Sequence, residues 1–195
     1  MKNFKIIDFR FAETTDTHDL KYSAWSRIYE YPYVIDFIKL NKIKSDIENI
    51  QIHNTSWGFE GVHVMFRDEL DTLGKCVHSD IVTSEFRETY YYDITEESKE
   101  FENKFDFVLN VSTIEHLNNV NQRLIAIENL FKQVKNGGYL ILTFDYPRVN
   151  LLEIETLVET KCKRTTVALN GENSANPNKI YKDLNIIYLI LRKNE

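Results

Sequence analysis

The sequence predicts an α/β fold with a mostly parallel sheet, and three observations predict it. Phe105–Val111 reads Phe-Asp-Phe-Val-Leu-Asn-Val, a run too apolar for a strand with one wet face. Val120, Leu124, Ile127, Phe131 and Val134 follow at spacings of 4, 3, 4 and 3, the period of a helix with one apolar face. Asn136-Gly137-Gly138 then stops the helix, and Tyr139–Phe144 is a second buried strand. Strand, helix and strand make one crossover, and the two strands of a crossover run parallel.

The other elements follow in order. Residues 1–45 are crowded with aromatics (Phe4, Phe9, Phe11, Tyr22, Trp25, Tyr29, Tyr31, Tyr33, Phe37) and interrupted by Pro32; Val34–Leu40 predicts a short helix. Ile50–His53 predicts the first strand of the core, and Asn54–Gly61 a polar turn. Val62, Phe66, Leu70 and Leu73 form one helical face, with Gly74 as its left-handed stop. Lys75–Ile81 and Glu88–Ile94 predict the second and third strands, ending near Asp80 and at Asp93. The acidic run Glu96–Glu102 is a solvated connection. Phe105–Val111 and Tyr139–Phe144 are the fourth and fifth strands, and Leu151–Thr160 is a helix. Thr165–Leu169 and Asn185–Leu191 close the sheet as an antiparallel pair joined by a polar loop. The whole is a single domain over residues 1–195 with seven strands: an N-terminal segment, 1–45, and a core, 46–195.

Composition narrows the function. The 195 residues carry a net charge of −6, which argues against a broad grip on nucleic acid. No apolar run reaches the ~18 residues of a membrane span. The opening MKNFKIIDFRF lacks the apolar core and cleavage site of a secretory signal, so a cytoplasmic location is expected. Cys76 and Cys162 form no C-x-x-C and read as reduced thiols. His53, His63 and His78 show no metal-ligand spacing, so no metal is expected.

Ligands of open α/β sheets bind outside the carboxyl ends of the strands. Asn110, Ser112, Glu115 and His116 lie at such an end. Asp80 stands about twenty residues past the first turn, where an acid accepts hydrogen bonds from ribose hydroxyls; the alternative is a solvated carboxylate. His116 can move a proton near neutral pH, or simply pack at a helix start. Arg27, among Trp25, Tyr29 and Tyr31, offers a fork for a carboxylate or phosphate; the alternative is that these aromatics pack on the sheet edge.

The segments FDFVLNVSTIEHL (105–117) and LFKQVKNGGYLILTF (130–144) resemble one family, the class I S-adenosylmethionine (SAM)-dependent methyltransferases. That Rossmann-like family has FDxVxxxxxxEH, a leucine-rich helix, K-x-G-G and an apolar strand. The match is good over about forty residues and extends more weakly from Ile50 onward. The family's first loop is usually G-x-G-x-G; here Asn54-Thr-Ser-Trp-Gly58-Phe-Glu-Gly61 keeps only Gly58 and Gly61. Two implications stand side by side. In one, Asn54, Thr55, Ser56, Gly58 and Gly61 bind SAM in a variant geometry. In the other, SAM binding has been lost and the chain is a non-catalytic binding or scaffold protein.

The resemblance further implies that Asp80 binds the ribose, Asp93 the adenine amino group and Ile94 the ring face. Asn110, Val111 and Ser112 would hold the methionine part through the backbone. Glu115 and His116 would border the acceptor pocket, with His116 as base where one is needed. Arg27, Tyr29 and Tyr31 would sit in a lid over it, Arg27 reading an anionic group. The implied reaction is transfer of the SAM methyl to an oxygen or nitrogen of a small metabolite, anionic or linked to a sugar or nucleotide, as in surface-polysaccharide pathways. The implied partner is that acceptor, with no nucleic acid and no membrane, in a monomer or homodimer. A nucleotide-dependent dehydrogenase is the third reading, against which stands the lack of G-x-G-x-x-G.

Overall fold

The computed structural model describes residues 3–13, 15–45, 49–58, 60–163, 169–173 and 176–195. Its strands are β1 (Phe4–Phe11), β2 (Gln51–Thr55), β3 (Lys75–Asp80), β4 (Tyr90–Tyr91), β5 (Phe105–Val111), β6 (Val134–Asp145), β7 (Leu169–Asn173), β8 (Asn176–Leu184) and β9 (Ile186–Lys193). Its helices are α1 (Arg27–Ser45), α2 (Val62–Leu73), α3 (Val120–Gln133) and α4 (Leu151–Val158). Seven strands form one sheet in the order β1-β9-β6-β5-β2-β3-β4. Only β9 runs against the others. The expected closing strand Asn185–Leu191 is present as β9, but its antiparallel partners are β6 and β1, while β7 pairs antiparallel with β8 in a separate two-stranded sheet.

Alternation along the strands separates two cores. Phe107, Leu109 and Val111 of β5 face α1 and α2, where they meet Tyr31, Val34, Ile38, Phe66 and Leu70. Phe105 and Val108 face α3 and α4, joining Leu140, Leu142 and Phe144 of β6 and Leu130 and Ile154 of the helices. Each such side chain, removed from water, contributes about 1.5–3 kcal/mol. The sheet therefore lies between two helical layers, and the carboxyl ends of β2, β3, β5 and β6 open on one rim.

Several elements differ from the sequence pattern, each for a physical reason. Phe4–Phe11 is an edge strand, so part of the 1–45 segment belongs to the sheet. Ile7 is an extra residue between the pairs Ile6–Leu191 and Asp8–Ile190, and that bulge breaks the apolar alternation that marks a strand. Helix α1 continues through Pro32. The carbonyl of Ile28, which proline leaves without its helical donor, accepts instead from the Asp19 amide at 3.0 Å. Of Glu88–Ile94, only Tyr90–Tyr91 pairs as a strand. Asn136–Gly138 does not separate helix from strand but lies inside β6. The register passes from Phe105–Val134 to Phe107–Tyr139, so β6 bulges there, with Gly137 at φ +80°.

Gly74 is extended (φ −172°), not left-handed. Glycine is needed there because a Cβ would sit 2.4 Å from Cγ1 of Ile50. Of the expected strand Thr165–Leu169, residues 165–168 lie outside the described residues. Just before them, Lys163 pairs with the outer edge of β1, donating to Phe9 at 2.9 Å and accepting from Phe11 at 3.0 Å.

Candidate functional site

Two neighbouring cavities open at the carboxyl ends of the parallel strands. The larger, of about 500 Å³, is bounded by Ser56, Gly58, Asp80, Asp93, Ile94, Thr113 and His116 among others. The smaller, of about 60 Å³, is bounded by Arg27, Tyr31, Asn54, Thr55, Trp57, His63, Val111 and Ser112 among others. Ser56 and Gly58 border both, so the loop after β2 forms the wall between them.

Two strained residues border the smaller cavity. Ser56 (φ 53°) and Ser112 (φ 44°), each just past the end of its strand, both hold the left-handed conformation that side chains disfavour. Gly58 (φ +69°) is required twice over, since a Cβ there would lie 2.9 Å from Cγ of His63. Trp57 does not fill the larger cavity. Its indole lies against the guanidinium of Arg67, 4.6 Å from the ring centroid, and donates to Thr89 at 3.2 Å.

Both strand-end acids face the larger cavity. Asp80 accepts from the amides of Gly58 (3.4 Å) and Val82 (3.2 Å). Asp93 accepts from the amide and hydroxyl of Thr95 at 2.8 and 2.7 Å, a turn that fixes its carboxylate beside Ile94. His116 is exposed at the rim, its basicity lowered by partial burial and by Arg148 and Arg27. It ends a separate 3₁₀ turn, Ile114–His116, and does not open α3.

Other expected residues lie away from the cavities or, like Asn54, are engaged by the protein's own side chains. Tyr29 borders neither cavity. Two positions beyond Arg27 on α1, it turns to the far side of the helix and packs with Ala12, Ile186 and Tyr188, whereas Tyr31, a full turn on, stays with Arg27. Gly61 caps α2 and touches nothing at its Cβ position. The Asn54 amide meets His78 at 3.3 Å. Asn110 donates to Thr55 Oγ1 at 2.9 Å, while its buried Oδ1 has no partner among the described residues.

The residue that organises the rim is Glu30. It is fully buried and accepts from Arg27 at 2.5 Å, from Ser112 Oγ at 2.6 Å and from Thr143 Oγ1. Burial works against its charge, but Arg27 and the hydroxyls of Ser112, Ser26 and Thr143 outweigh it and hold its pKa below the usual carboxylate range. Beside it, His63 is pulled down to about 4 by burial and by Arg27, so at neutral pH the ring is uncharged, and its Nδ1 shares a hydrogen bond with the Tyr31 hydroxyl.

Two further acids crowd this corner. Glu115 is only 8% exposed, and neither of its oxygens has a partner among the described residues. Burial, with Glu30 and Asp145 nearby, pushes it up to about 8. Asp145 ends β6; its Oδ2 accepts from Trp25 Nε1 at 3.2 Å and its Oδ1 has no described partner. Burial and Glu30 raise it too.

Glu30, His63 and Asp145 are absent from the sequence-derived set. The i, i+3 spacing of Arg27 and Glu30, and an acid directly after the apolar run of β6, are the signals that point to two of them. Apart from this rim, Asp71, Cys76 and His78 bring ligand-type atoms within 4.8 Å of one another, beside Arg67. His78 is paired with Asp71 at 2.9 Å. Neither Cys76 nor Cys162 is in a disulfide.

No family model matches the sequence, and no curated protein does. Solved structures match by fold. The N-methyltransferase NodS from Bradyrhizobium japonicum WM9 has a TM-score of 0.55 at 13% identity, over 84% of this chain and 96% of its own. The same protein with S-adenosyl-L-homocysteine gives 0.54 at 15%, over 84% and 87%. A SAM-dependent methyltransferase from Clostridium acetobutylicum ATCC 824 gives 0.56 at 9%, over 85% and 92%. The chain therefore has the Rossmann-like fold of the class I SAM-dependent methyltransferases.

Proposed function

We propose that the protein is a SAM-dependent methyltransferase acting on a small-molecule acceptor. The observation that carries this reading is the pair of cavities meeting at Ser56 and Gly58, with Asp80, Asp93 and Ile94 in one and Val111 and Ser112 in the other. The residues fit the cofactor. Asp80 and Asp93 suit a ribose and an adenine amino group, and Ile94 the ring face. The loop lacks the family's first glycines, yet Ser56 holds a glycine-like conformation and Gly58 keeps the close approach. When bound, SAM supplies an electrophilic methyl group on its sulfonium.

The protein's own part is alignment, which accounts for several kcal/mol of a barrier between two bound reactants. Glu30 fixes α1 to the ends of β5 and β6, and the rim carrying Arg27, Glu115, Asp145 and His116 receives the acceptor. The net charge of −6 speaks for a small acceptor over nucleic acid. Among the described residues, no helix is long and apolar enough to cross a membrane. NodS is by name an N-methyltransferase, which is in keeping with a nitrogen acceptor. Calorimetric titration with SAM and with S-adenosylhomocysteine tests the reading: saturable heat with both is expected. No heat and no thermal shift at millimolar ligand would support the scaffold alternative instead.

A further inference from the structure

We propose that Asp71, Cys76 and His78 bind a zinc ion, with water in a fourth position that opens on the cavity beside them. This site is independent of the methyltransferase reading, because none of the three residues borders the two cavities at the strand ends.

The three ligands come from one turn of chain. Asp71 is in the last turn of α2, Gly74 follows, and Cys76 and His78 are alternate residues of β3, so their side chains share a face of the sheet. One ligand-type atom of each lies within 4.8 Å of the other two, and His78 Nε2 is 2.9 Å from Asp71 Oδ1. Zinc bonds of about 2.0–2.3 Å, arranged tetrahedrally, set their ligand atoms roughly 3.3–3.6 Å apart. The close pair therefore opens slightly, and no other pair has more than about 1.5 Å to close. Asp71, with its side chain 46% exposed, has room to make that shift. The spacing, Asp-x4-Cys-x-His across a helix-to-strand turn, is invisible to a search for histidine pairs on one helix.

The donor set selects the metal. Thiolate, imidazole and carboxylate together suit zinc, whereas calcium and magnesium take oxygen ligands. Two anionic ligands balance the charge of the ion, which offsets the guanidinium of Arg67 nearby. The thiol proton goes to solvent as the Zn–S bond forms. His78 also has a supporting partner: its Nδ1 lies 3.3 Å from the Asn54 side-chain amide, the kind of contact that orients a ligating imidazole. There the amide nitrogen faces the ring; once zinc takes Nε2, Nδ1 carries the proton and the amide turns its oxygen to it.

The fourth position has a place and a partner. Cys76 and His78 line a cavity of about 210 Å³ together with Arg67 and Glu88, ample for a water. Arg67 is only 7% exposed, and its Nε has no hydrogen-bond partner among the described residues. Its Nη1 is occupied by the Glu88 carbonyl at 2.9 Å. Buried donors are nearly always paired, and a zinc-bound water or hydroxide supplies the oxygen acceptor that this one lacks.

Cobalt(II), which takes the place of zinc in such sites and is coloured there, is the probe. Tag-free protein is titrated with Co²⁺ under anaerobic, reducing conditions. The expected result is saturation at one ion per chain, with an intense near-ultraviolet sulfur-to-cobalt band and the visible bands of four-coordinate cobalt. Equimolar Zn²⁺ should abolish both. Cys76→Ser should remove the sulfur band, whereas Cys162→Ser, at the other thiol of the chain, should keep it. Asp71→Asn, at an exposed position, should weaken cobalt and zinc binding about a hundredfold. Absence of a sulfur band, or a band that survives in Cys76→Ser, would overturn the proposal. So would unchanged zinc affinity in Asp71→Asn, and that comparison decides alone should Cys76→Ser fail to fold.

Discussion

The Ser112 hydroxyl donates to the Glu30 carboxylate at 2.6 Å, across 82 residues of sequence. That bond joins the end of β5 to α1, and the bond from Thr143 joins β6 to the same carboxylate. The N-terminal helix is thus tied to the rim that carries the candidate chemistry by hydroxyl hydrogen bonds to one buried carboxylate.

Removing Glu30 leaves Arg27 charged and without its partner in a dry setting. Glu30→Ala should cost about 3–5 kcal/mol, measured by urea unfolding. The double variant Arg27→Met, Glu30→Leu should recover much of that loss, because it removes both charges. Equal destabilisation of single and double variants would contradict this account.

Gly58 and Gly61 separate two demands on the loop. Both have positive φ, but only at Gly58 does a Cβ meet another residue. Gly58→Ala should lower stability by about 1–3 kcal/mol and weaken S-adenosylhomocysteine binding as well. Gly61→Ala should show the backbone cost alone, with ligand affinity kept.

Asp93 is held beside Ile94 by Thr95 and faces the larger cavity. A charged hydrogen bond lost there costs about 1.5–3 kcal/mol. Asp93→Ala should therefore weaken SAM binding roughly ten- to hundredfold, read by calorimetry, with the domain still folded. Asp80→Ala should do likewise through the ribose. Unchanged affinity in either variant would remove that assignment.

Buried histidines and a buried glutamate give stability opposite pH trends. Burial pulls His53 down to about 3, although Gln133 favours its charged form; the ring also bonds Ser79 at 2.8 Å. The unfolded chain binds that proton and the folded one does not, so stability falls as pH drops from about 6.5 towards 3. His63 acts in the same direction. Glu115 is reversed: between about 4.5 and 8 the folded state holds a proton that the unfolded state has lost, so stability falls as pH rises. Glu115→Gln should be more stable than the parent at pH 8, by on the order of 1–4 kcal/mol, with little gain below pH 4.5. Chemical denaturation at pH 4, 6 and 8 checks both signs.

Much of the fold was legible because burial on both faces writes a continuous apolar run, as in β5, whose bounds match the pattern. The edge strand β1 was not, since one bulged residue shifts its alternation. Strand-end acids such as Asp80 and Asp93 were legible from position alone. Glu30 was not, because its partners at 112 and 143 are brought together only by tertiary folding. Tyr29 misled because neighbours in sequence diverge on a helix.

The place of β9 between β6 and β1 sets an order of events during synthesis. β1 leaves the ribosome roughly 175 residues ahead of β9, the strand it pairs with among the described residues. At about 5–20 residues per second, that interval is roughly ten to thirty-five seconds. Until β9 emerges, β1 has no partner there, and once β6 has been made its edge stays open for about the last 40 residues of that interval, the kind of surface on which nascent chains aggregate. Contacts of such long separation also slow folding. A chaperone that shields the first dozen residues would act where this chain is most exposed.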